Sequence, residues 1–129
     1  MSIATQKTLA ALRETTVPWV VERWVGPPKF GKRIDLFGFI DIVALPLEQG
    51  KVLGVQSCGQ SFSGHDKKIL TDCRELAVRW LMCGCRLQLW GWRKLKVKRG
   101  GKAVRWTPRI KEYSLADFVE ADACSKATP

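Results

Sequence analysis

The chain has 129 residues, of which 46% are hydrophobic and 26% are charged. These proportions are typical of globular proteins, so the sequence predicts a single domain over residues 1–129 and excludes an intrinsically disordered chain. No apolar stretch is long enough for a transmembrane helix, and no basic start followed by an apolar core indicates a secretory signal.

Cysteine usage indicates a reducing compartment. The sequence contains five cysteines, an odd number without a repeating spacing. They are therefore predicted to be free thiols in a reducing, cytoplasmic environment. The Cys83-Gly84-Cys85 segment has no second cysteine pair to complete a zinc site, so we interpret these thiols as structural.

Positive charge is concentrated in one segment. The 22 Lys and Arg residues exceed the 12 Asp and Glu residues and give a net charge of +10. Nine of the basic residues lie between Arg93 and Lys111, where no acidic residue occurs. Such clustering indicates a docking surface for a polyanion, most simply nucleic acid. A surface hairpin that serves only solubility is the alternative.

The first half of the chain is predicted to form a helix followed by three strands. Amphipathic spacing favours a helix over residues 3–13, which the β-branched residues before Pro18 bring to an end. Strands rich in β-branched and aromatic residues follow at 17–25, 36–45 and 52–57. The second of these strands is apolar on both alternating faces, which is typical of a strand buried on both sides of a sheet.

The second half is predicted to combine helices and strands. Its elements are a Gly/Ser loop (59–64), a helix (66–82), a strand (86–92), a hairpin around Gly100-Gly101 (94–106) and a terminal helix (114–121). Ser63 or Asp66 is expected to cap the first of these helices, and the tail at 123–129 is expected to be frayed. The complete order predicts an α/β fold with a mixed central sheet flanked by helices.

Two polar residues interrupt the predicted buried strands. Asp41 is surrounded by apolar residues, and a buried carboxylate is costly unless it is paired, hydrogen-bonded or bound to a cation. Alternatively, it meets a buried arginine or reaches solvent at the end of the strand. Gln56 follows on the next strand, where a hairpin would bring the two side chains together, with Cys58 on the same face as Gln56. Oxygen ligands arranged in this way suit Mg²⁺, which needs only one or two protein side chains.

The run Arg33–Asp41, followed by Gly54–Cys58, resembles the core of the PD-(D/E)XK nucleases. It is most similar to small phage and archaeal Holliday-junction-resolvase-like and VRR-NUC-like members, over about residues 5–92. The resemblance implies a restriction-endonuclease-like αβββαβ core with an added basic hairpin and C-terminal helix. It further implies a Mg²⁺-dependent DNA endonuclease, with Mn²⁺ as a substitute, that acts on branched or duplex DNA as a homodimer. No membrane or organic cofactor is expected, and the resemblance implies the cytoplasm of a bacterial, archaeal or phage-infected cell.

Carried over position by position, the resemblance implies a metal site formed by Asp41, Gln56, the backbone carbonyl of Ser57, and Glu22. Asp35 is a weaker candidate, because it could serve only to pair with Arg33. Hydrolysis at such a site needs no covalent intermediate, since the metal activates a water molecule.

The sequence departs from the family pattern at two positions. Cys58 replaces the motif lysine, so Lys68 or Lys67 of the following helix is expected to supply the missing positive charge. Gln56 replaces an acidic residue, which weakens the expected metal affinity. Both changes favour the alternative of a catalytically weak or inactive nucleic-acid-binding module on the same fold. A basic protein-interaction domain of a phage or mobile element is a third, weaker hypothesis.

The basic arm, residues 93–107, is the predicted nucleic-acid contact. Alternation places Lys94, Lys96 and Lys98 on one face of its first strand. The complete set of predicted DNA-binding residues is Lys32, Arg33, Lys94, Lys96, Lys98, Arg99, Lys102 and Arg105. Most of the tryptophans are expected in the core, with Trp92 or Trp106 as the exceptions that could stack on bases.

Overall fold

The computed structural model of the protein describes residues 2–119. Its helices are α1 (Ile3–Leu12), α2 (Phe62–Leu70) and α3 (Arg74–Met82). Its strands are β1 (Thr16–Val20), β2 (Arg23–Val25), β3 (Lys32–Ile34), β4 (Ile42–Pro46), β5 (Leu53–Cys58), β6 (Arg86–Lys96) and β7 (Val104–Tyr113). A last helix begins at residue 115; its predicted end at 121 and the predicted frayed tail at 123–129 lie outside the described residues.

Five strands form one mixed sheet in the order β1-β4-β5-β6-β7, while β2 and β3 form a separate antiparallel pair. Strands β5 and β6 are parallel, and the other neighbours in the large sheet are antiparallel. This arrangement confirms the predicted α/β class with a mixed central sheet. Both edge strands contain a proline, Pro18 in β1 and Pro108 in β7, and a proline on an edge strand discourages pairing with another chain.

Helices cover both faces of the sheet. Helix α1 packs on one face, against a buried cluster that includes Ile42, Leu53, Val55, Trp90 and Trp92. Helices α2 and α3 pack on the other face, against a cluster that includes Phe39, Ile40, Leu87, Leu89 and Phe118. Within residues 2–119, no helix is both long enough and apolar enough to cross a membrane.

The predicted helix at the N-terminus is confirmed. The Ser2 hydroxyl accepts a hydrogen bond from the backbone N–H of Thr5 and so caps α1. Leu9 and Leu12 are buried as the spacing predicted, whereas Ile3 is exposed. The polar residues Thr5 and Thr8 are buried in its place, because each forms a hydrogen bond across to the sheet.

Two predicted strands are wrong in their extent. The strand at 17–25 is divided into β1 and β2, and the strand at 36–45 begins only at Ile42. Residues 36–40 instead form a tight turn closed by a bridge between Leu36 and Ile40, with positive φ at Phe37 and Gly38. Phe39 and Ile40 of this turn are buried while Phe37 is exposed, so the apolar run resembles a buried strand only in sequence.

The predicted helix at 66–82 is two helices. Helix α2 starts earlier, at Phe62, so the second half of the predicted loop at 59–64 is helical. Ser63 and Asp66 lie inside the helix rather than at its cap. The break falls at residues 71–73, where the Thr71 hydroxyl donates to the carbonyl of Lys67 at 2.6 Å. Both helices pack on the same face of the sheet, so the apolar spacing continues across the break.

The strands predicted at 86–92 and 94–97 form one continuous strand, β6, and its partner β7 runs well beyond the predicted end at 106. The chain reverses at the predicted glycine pair, where Gly100 has a φ of 79°. The last pair that β5 and β6 share is Cys58 with Gly91. The basic arm therefore extends beyond the sheet, with only β7 as the partner of β6.

Candidate metal centre

Asp41 lies directly before β4, where the ends of three strands meet. Its backbone N–H donates to the carbonyl of Val55 on β5 at 2.9 Å. Its carbonyl accepts from the N–H groups of Val21 and Glu22, which follow β1, at 2.8 and 3.3 Å. The prediction that Asp41 occupies the middle of a strand is therefore wrong, and its position at a strand end leaves room for other side chains to approach.

The carboxylate of Asp41 contacts its predicted partner Gln56 and also Ser57, for which the resemblance implied a backbone carbonyl ligand to the metal. Its Oδ2 accepts hydrogen bonds from Gln56 Nε2 at 2.9 Å, from the Ser57 N–H at 2.9 Å and from Ser57 Oγ at 3.2 Å. Asp41 is only 4% exposed. Ser57 Oγ also lies 3.0 Å from Thr5 Oγ1, which connects the site to α1. Asp41 and Gln56 thus converge as the hairpin pattern predicted.

The amide oxygen of Gln56 is buried and has no hydrogen-bond partner among residues 2–119. A buried polar atom without a partner is costly, so such an atom calls for an explanation, and a missing ligand is one. The oxygen belongs to the same amide group whose nitrogen contacts Asp41. It therefore lies beside the carboxylate that the sequence assigns to the metal.

Two further acids complete a cluster around Asp41. One carboxylate oxygen from each of Glu22, Asp35 and Asp41 lies within 4.8 Å of the other two. Glu22 immediately precedes β2 and Asp35 immediately follows β3, so the β2–β3 hairpin brings both to the site. The guanidinium of Arg33 lies 4.0 Å from Glu22. Asp35, which the sequence ranked as the weaker candidate, belongs to the cluster as closely as Glu22 does.

The environment of Asp41 disfavours its charge. Burial and the side-chain hydrogen bond with Asp35 raise its pKa to about 8, the N–H of Ser57 opposes this shift, and the charges of Asp35 and Glu22 reinforce it. Three acids at this spacing repel one another unless a proton or a cation lies between them. Carboxylate and amide oxygens are the ligands that Mg²⁺ prefers, so the donor set fits this ion.

Surface pockets open on both sides of the β2–β3 hairpin. Asp35 lines a pocket of about 520 Å³ and Glu22 lines another of about 310 Å³. The partly exposed carboxylates of the cluster can therefore be reached from solvent, although Asp41 itself is buried.

The residues considered for the missing motif lysine differ in environment. Burial, and next the charge of Asp41, raise the pKa of the Cys58 thiol to about 11, so Cys58 carries no charge near neutral pH. Lys67 and Lys68 are exposed in the last turn of α2. Burial raises the pKa of Cys73, the charge of Lys68 opposes this shift, and Asp35 reinforces it. Lys68 and Asp35 therefore both lie close enough to Cys73 to influence its pKa.

The basic arm leaves the sheet at the end that carries the acidic cluster. Strands β4 and β5 are antiparallel, with Ile42 opposite Val55. Asp41, one residue before Ile42, therefore lies beside the carboxyl-terminal half of β5. From that same end β6 runs on past Gly91 for five residues, about 17 Å at the usual strand rise. Two strand spacings, about 10 Å, separate β4 from β6. A ligand lying across the cluster would therefore meet the arm.

Several basic residues of this region are occupied by contacts within the fold. Lys111 donates to Asp66 at 2.8 Å, and Arg109 lies 4.1 Å above the ring of Phe62. Both contacts anchor β7 to α2. The eight predicted DNA-binding residues are all exposed, although Arg33 lies 4.0 Å from Glu22 and Lys94 lies 5.0 Å from the ring of Trp106. The expectation that Lys98 shares the strand face of Lys94 and Lys96 is wrong, because β6 ends at Lys96 and Lys98 lies in the turn.

The tryptophans depart from expectation in both directions. Trp92 is 7% exposed and donates from Nε1 to Thr8 at 2.8 Å, so it is a core residue and not a stacking platform. Trp106 is half-exposed, and the ammonium groups of Lys7 and Lys94 both lie 5.0 Å from its ring. Trp19 and Trp24, which the sequence assigned to the core, are exposed at 74% and 50%.

The β2–β3 hairpin, residues 23–34, is the feature that sequence reasoning missed. It carries four basic residues and no acid, and its strands pair Arg23 with Ile34 and Val25 with Lys32. The sequence did contain a signal for it, because the glycines and prolines at 26–31 are residues typical of a hairpin loop. Lys32 and Arg33, predicted to bind DNA, lie on its second strand.

Comparison with protein-family models, with curated proteins and with solved structures finds no match for this chain. Function is therefore inferred from the arrangement of its own residues. The acidic cluster lies at one end of the sheet, with the β2–β3 hairpin directly beside it and the basic arm two strands away. Chemically, this arrangement can hold a divalent cation and a polyanion side by side.

Proposed function

We propose that this protein is a metal-dependent DNA endonuclease of the PD-(D/E)XK type. The observation that carries the proposal is the approach of Glu22, Asp35 and Asp41 within 4.8 Å, beside Gln56 and between two basic hairpins. The order α1, β1, β4, β5, α2–α3, β6 agrees with the αβββαβ order implied by the sequence resemblance and so supports the proposal.

The three carboxylates and the amide oxygen of Gln56 are the groups that would hold a divalent cation. Such an ion would relieve the repulsion between the acids and give the buried Gln56 oxygen a partner. When bound, Mg²⁺ lowers the pKa of a coordinated water and polarises a phosphoryl oxygen. Ser57 would keep Asp41 in place, because its N–H and hydroxyl both donate to Oδ2.

The chain's basic residues would bind the substrate and stabilise charge during cleavage. Lys94, Lys96 and Arg105 of the basic arm are exposed and would contact phosphates, which position a protein on DNA without reading its sequence. Lys68 is the preferred substitute for the motif lysine, because its charge and that of Asp35 both act on the Cys73 thiol. A positive group there would stabilise the negative charge that develops on the phosphate.

Branched DNA is the proposed substrate, and a homodimer is the proposed active form. Both rest on the sequence resemblance, since resolvase-like enzymes make two symmetric cuts and need two sites. Light scattering in solution tests the dimer directly: a monomeric mass in the presence of junction DNA would contradict it.

A nucleic-acid-binding module without efficient catalysis is the second candidate. Cys58 provides no positive charge where the family has lysine. In addition, the Oδ2 atom of Asp41 already accepts three hydrogen bonds without a cation. These observations favour binding over cutting, and an assay that measures cleavage and binding together distinguishes the two functions.

The decisive experiment combines cleavage and binding on labelled Holliday junctions, flaps, duplexes and single strands. Each DNA is incubated with the protein in Mg²⁺, Mn²⁺ or EDTA. We expect cleavage of branched DNA with either metal and none in EDTA. Binding to all forms without any cleavage would establish the second candidate, and cleavage that persists in EDTA would remove the metal centre from the mechanism.

A further inference from the structure

The β2–β3 hairpin presents an aromatic side chain to solvent at its tip. Phe30 is 87% exposed, more than any other large hydrophobic residue within 2–119. A single exposed apolar residue is ordinary on a protein surface. Phe30 differs in its position, since it stands on a hairpin whose two ends are the acids Glu22 and Asp35 of the candidate metal centre.

The tip that carries Phe30 is held by several contacts. The carbonyl of Pro27 accepts hydrogen bonds from the N–H of Phe30 at 3.1 Å, the N–H of Gly31 at 2.7 Å and Trp24 Nε1 at 3.3 Å. The Trp24 ring packs so closely on Gly31 that a Cβ there would lie 2.5 Å from Nε1. Phe30 is therefore presented by a preorganised turn, so less conformational entropy is lost when it binds a partner.

Charge around the tip selects the kind of partner. Arg23, Lys29 and Lys32 are exposed on the same hairpin, and no acid occurs between residues 23 and 34. An aromatic ring among cations suits a partner that offers negative charges next to flat apolar rings. Nucleic acid has this composition, with phosphates outside and bases that stack on aromatic side chains. A protein partner would have to present both an acidic rim and an apolar cavity.

We propose that the β2–β3 hairpin is a wedge that recognises unstacked bases in DNA. Phe30 stacks on, or inserts beside, an unpaired or loosely stacked base, while Lys29 and Lys32 contact the neighbouring phosphates. Insertion of apolar side chains at flexible steps is an established way for proteins to engage deformed DNA. This inference rests on the proposed DNA binding and adds the substrate class: DNA with a discontinuity close to the cutting site.

The dimensions of the hairpin set the distance between wedge and cut. Five residues separate Phe30 from Asp35, which spans at most about 16 Å of extended chain. Duplex DNA rises about 3.4 Å along its axis per nucleotide of one strand, so this length corresponds to about five nucleotides measured along the axis. The recognised discontinuity therefore lies within about five nucleotides of the phosphate at the acidic cluster.

The test measures base unstacking without cleavage. Junctions and plain duplexes carry the fluorescent base 2-aminopurine at or near the branch, and binding is followed in EDTA. Wild type is compared with Phe30→Ala, with Phe30→Trp, which keeps an aromatic ring, and with Trp19→Ala, an exposed aromatic residue outside both basic hairpins. Circular dichroism confirms that each variant folds, as expected for exposed positions.

We expect wild type to raise 2-aminopurine fluorescence at the branch. Phe30→Ala should remove most of this increase and weaken junction binding by roughly 5- to 150-fold, the range for the loss of one stacked base. Its affinity for plain duplex should stay within about twofold, because the phosphate contacts are retained. Phe30→Trp should preserve the signal, and Trp19→Ala should match wild type.

Two other results overturn the wedge and separate its failure from that of the proposed function. If Phe30→Ala binds junctions and unstacks the base as wild type does, DNA binding stands and the wedge fails. Equal weakening on junction and duplex would also reject it, since Phe30 would then not read a discontinuity. If wild type binds none of these DNAs, DNA binding itself is wrong, the wedge falls with it, and a protein partner becomes the explanation for the tip.

Discussion

Two aspartates, Asp66 and Asp41, occupy opposite electrostatic environments in this small domain. Asp66 on α2 accepts hydrogen bonds from the Tyr113 hydroxyl at 2.6 Å and from the Lys111 ammonium at 2.8 Å. Asp41 shares its surroundings with two more acids, Glu22 and Asp35. Both side chains accept hydrogen bonds, but within residues 2–119 only Asp66 of the two has an ion-pair partner.

The pKa values of the two groups reflect this difference. Partial burial raises the pKa of Asp66, but the hydrogen bonds from Lys111 and Tyr113 and the charges of Lys111 and Arg109 outweigh burial and hold it below its ordinary value. Burial, followed by Asp35, raises the pKa of Asp41 to about 8. The carboxylate with a partner serves the fold, whereas the crowded one costs stability when ionised and suits an external cation.

Replacement of Asp41 is the strongest way to test the comparison. Asp41→Asn should abolish Mg²⁺- or Mn²⁺-dependent cleavage, a loss of at least about 10³-fold, because the central carboxylate of the metal centre is gone. DNA binding should stay within about threefold, since phosphate contacts on the hairpins are unchanged. The measurement is single-turnover cleavage together with a binding titration in EDTA.

The control for Asp41→Asn is the same substitution at Asp66, which should leave cleavage per bound complex unchanged. Thermal unfolding adds an independent measurement: Mg²⁺ should raise the melting temperature of wild type but not that of Asp41→Asn. An Asp41→Asn protein that still cuts DNA at the wild-type rate would remove this carboxylate from the reaction.

The second prediction concerns the positive charge missing at Cys58. Lys68→Ala should slow cleavage by roughly 10²- to 10³-fold, the usual cost of losing one charge-stabilising group. Lys67→Ala is the matched control, since it neighbours Lys68 and is equally exposed. Cys58→Lys should partly restore the rate of Lys68→Ala, provided that circular dichroism shows a folded protein.

A large effect of Lys67→Ala with none of Lys68→Ala would reverse the assignment of the two lysines. If neither substitution changes the rate of an active enzyme, the charge comes from another part of the chain. If wild type cuts no DNA in any metal, the binding module is the correct function and the acidic cluster serves only to hold an ion.

The sequence was most informative where local signals decide the structure. Helix α1 was predictable from the spacing of its apolar residues and from Pro18, which prevents its continuation. The turn of the basic arm was predictable from Gly100, which adopts a positive φ. The convergence of Asp41 and Gln56 was also predictable, because neighbouring antiparallel strands place such residues side by side. Charge clustering located the basic arm, since charge is read from sequence directly.

The rest of the site depends on contacts between residues distant in sequence. Asp35 joins Glu22 only because residues 23–34 close into a hairpin, and the long apolar run 36–45 concealed the turn that positions Asp41. Trp92 looked available for stacking, yet a hydrogen bond from its ring to Thr8, 84 residues away in the chain, fixes it in the core. Periodicity cannot reveal such pairings.

The third prediction tests whether the basic arm binds phosphates. Replacement of Lys96, Lys98 and Lys102 by alanine should reduce the slope of log K against log salt by roughly 2 to 3 units, because about 0.9 counterions are released per duplex phosphate contact. The affinity should fall about equally for all sequences, and cleavage per bound complex should change much less. Salt titrations on one junction and one plain duplex provide the measurement.

A matched triple variant separates phosphate contact from net charge. Arg13, Lys51 and Arg79 are exposed and lie outside both hairpins, so their replacement removes the same charge elsewhere. This variant should change the slope by less than about 1 unit. Equal slopes for the two triples would mean that the arm faces solvent or a protein partner.

The smallest expected effect concerns Asp66, the other half of the comparison. Asp66→Asn should lower the free energy of unfolding by about 1–3 kcal/mol at pH 7, because charge-assisted hydrogen bonds from Lys111 and Tyr113 are weakened. Urea unfolding measures this difference, and cleavage per bound complex should remain at the wild-type level. If Asp66→Asn unfolds at the same urea concentration as wild type at pH 7, the hydrogen bonds from Lys111 and Tyr113 to Asp66 do not stabilise the fold.

The dependence of this loss on pH follows from the direction of the shift. Since the pKa of Asp66 is lower in the folded state than in the unfolded chain, its charge stabilises the fold above the unfolded pKa of about 4. That stabilisation decreases as pH falls through the folded pKa, so the difference between wild type and Asp66→Asn should shrink below about pH 4. Asp41→Asn should behave differently at pH 7. Burial and the neighbouring acids raise the pKa of Asp41 to about 8, so folding at pH 7 requires this carboxyl to take up a proton, and asparagine removes that cost. Without metal, Asp41→Asn should therefore be at least as stable as wild type, whereas Asp66→Asn should be less stable. The same substitution thus separates the carboxylate that stabilises the fold from the one that serves a cation.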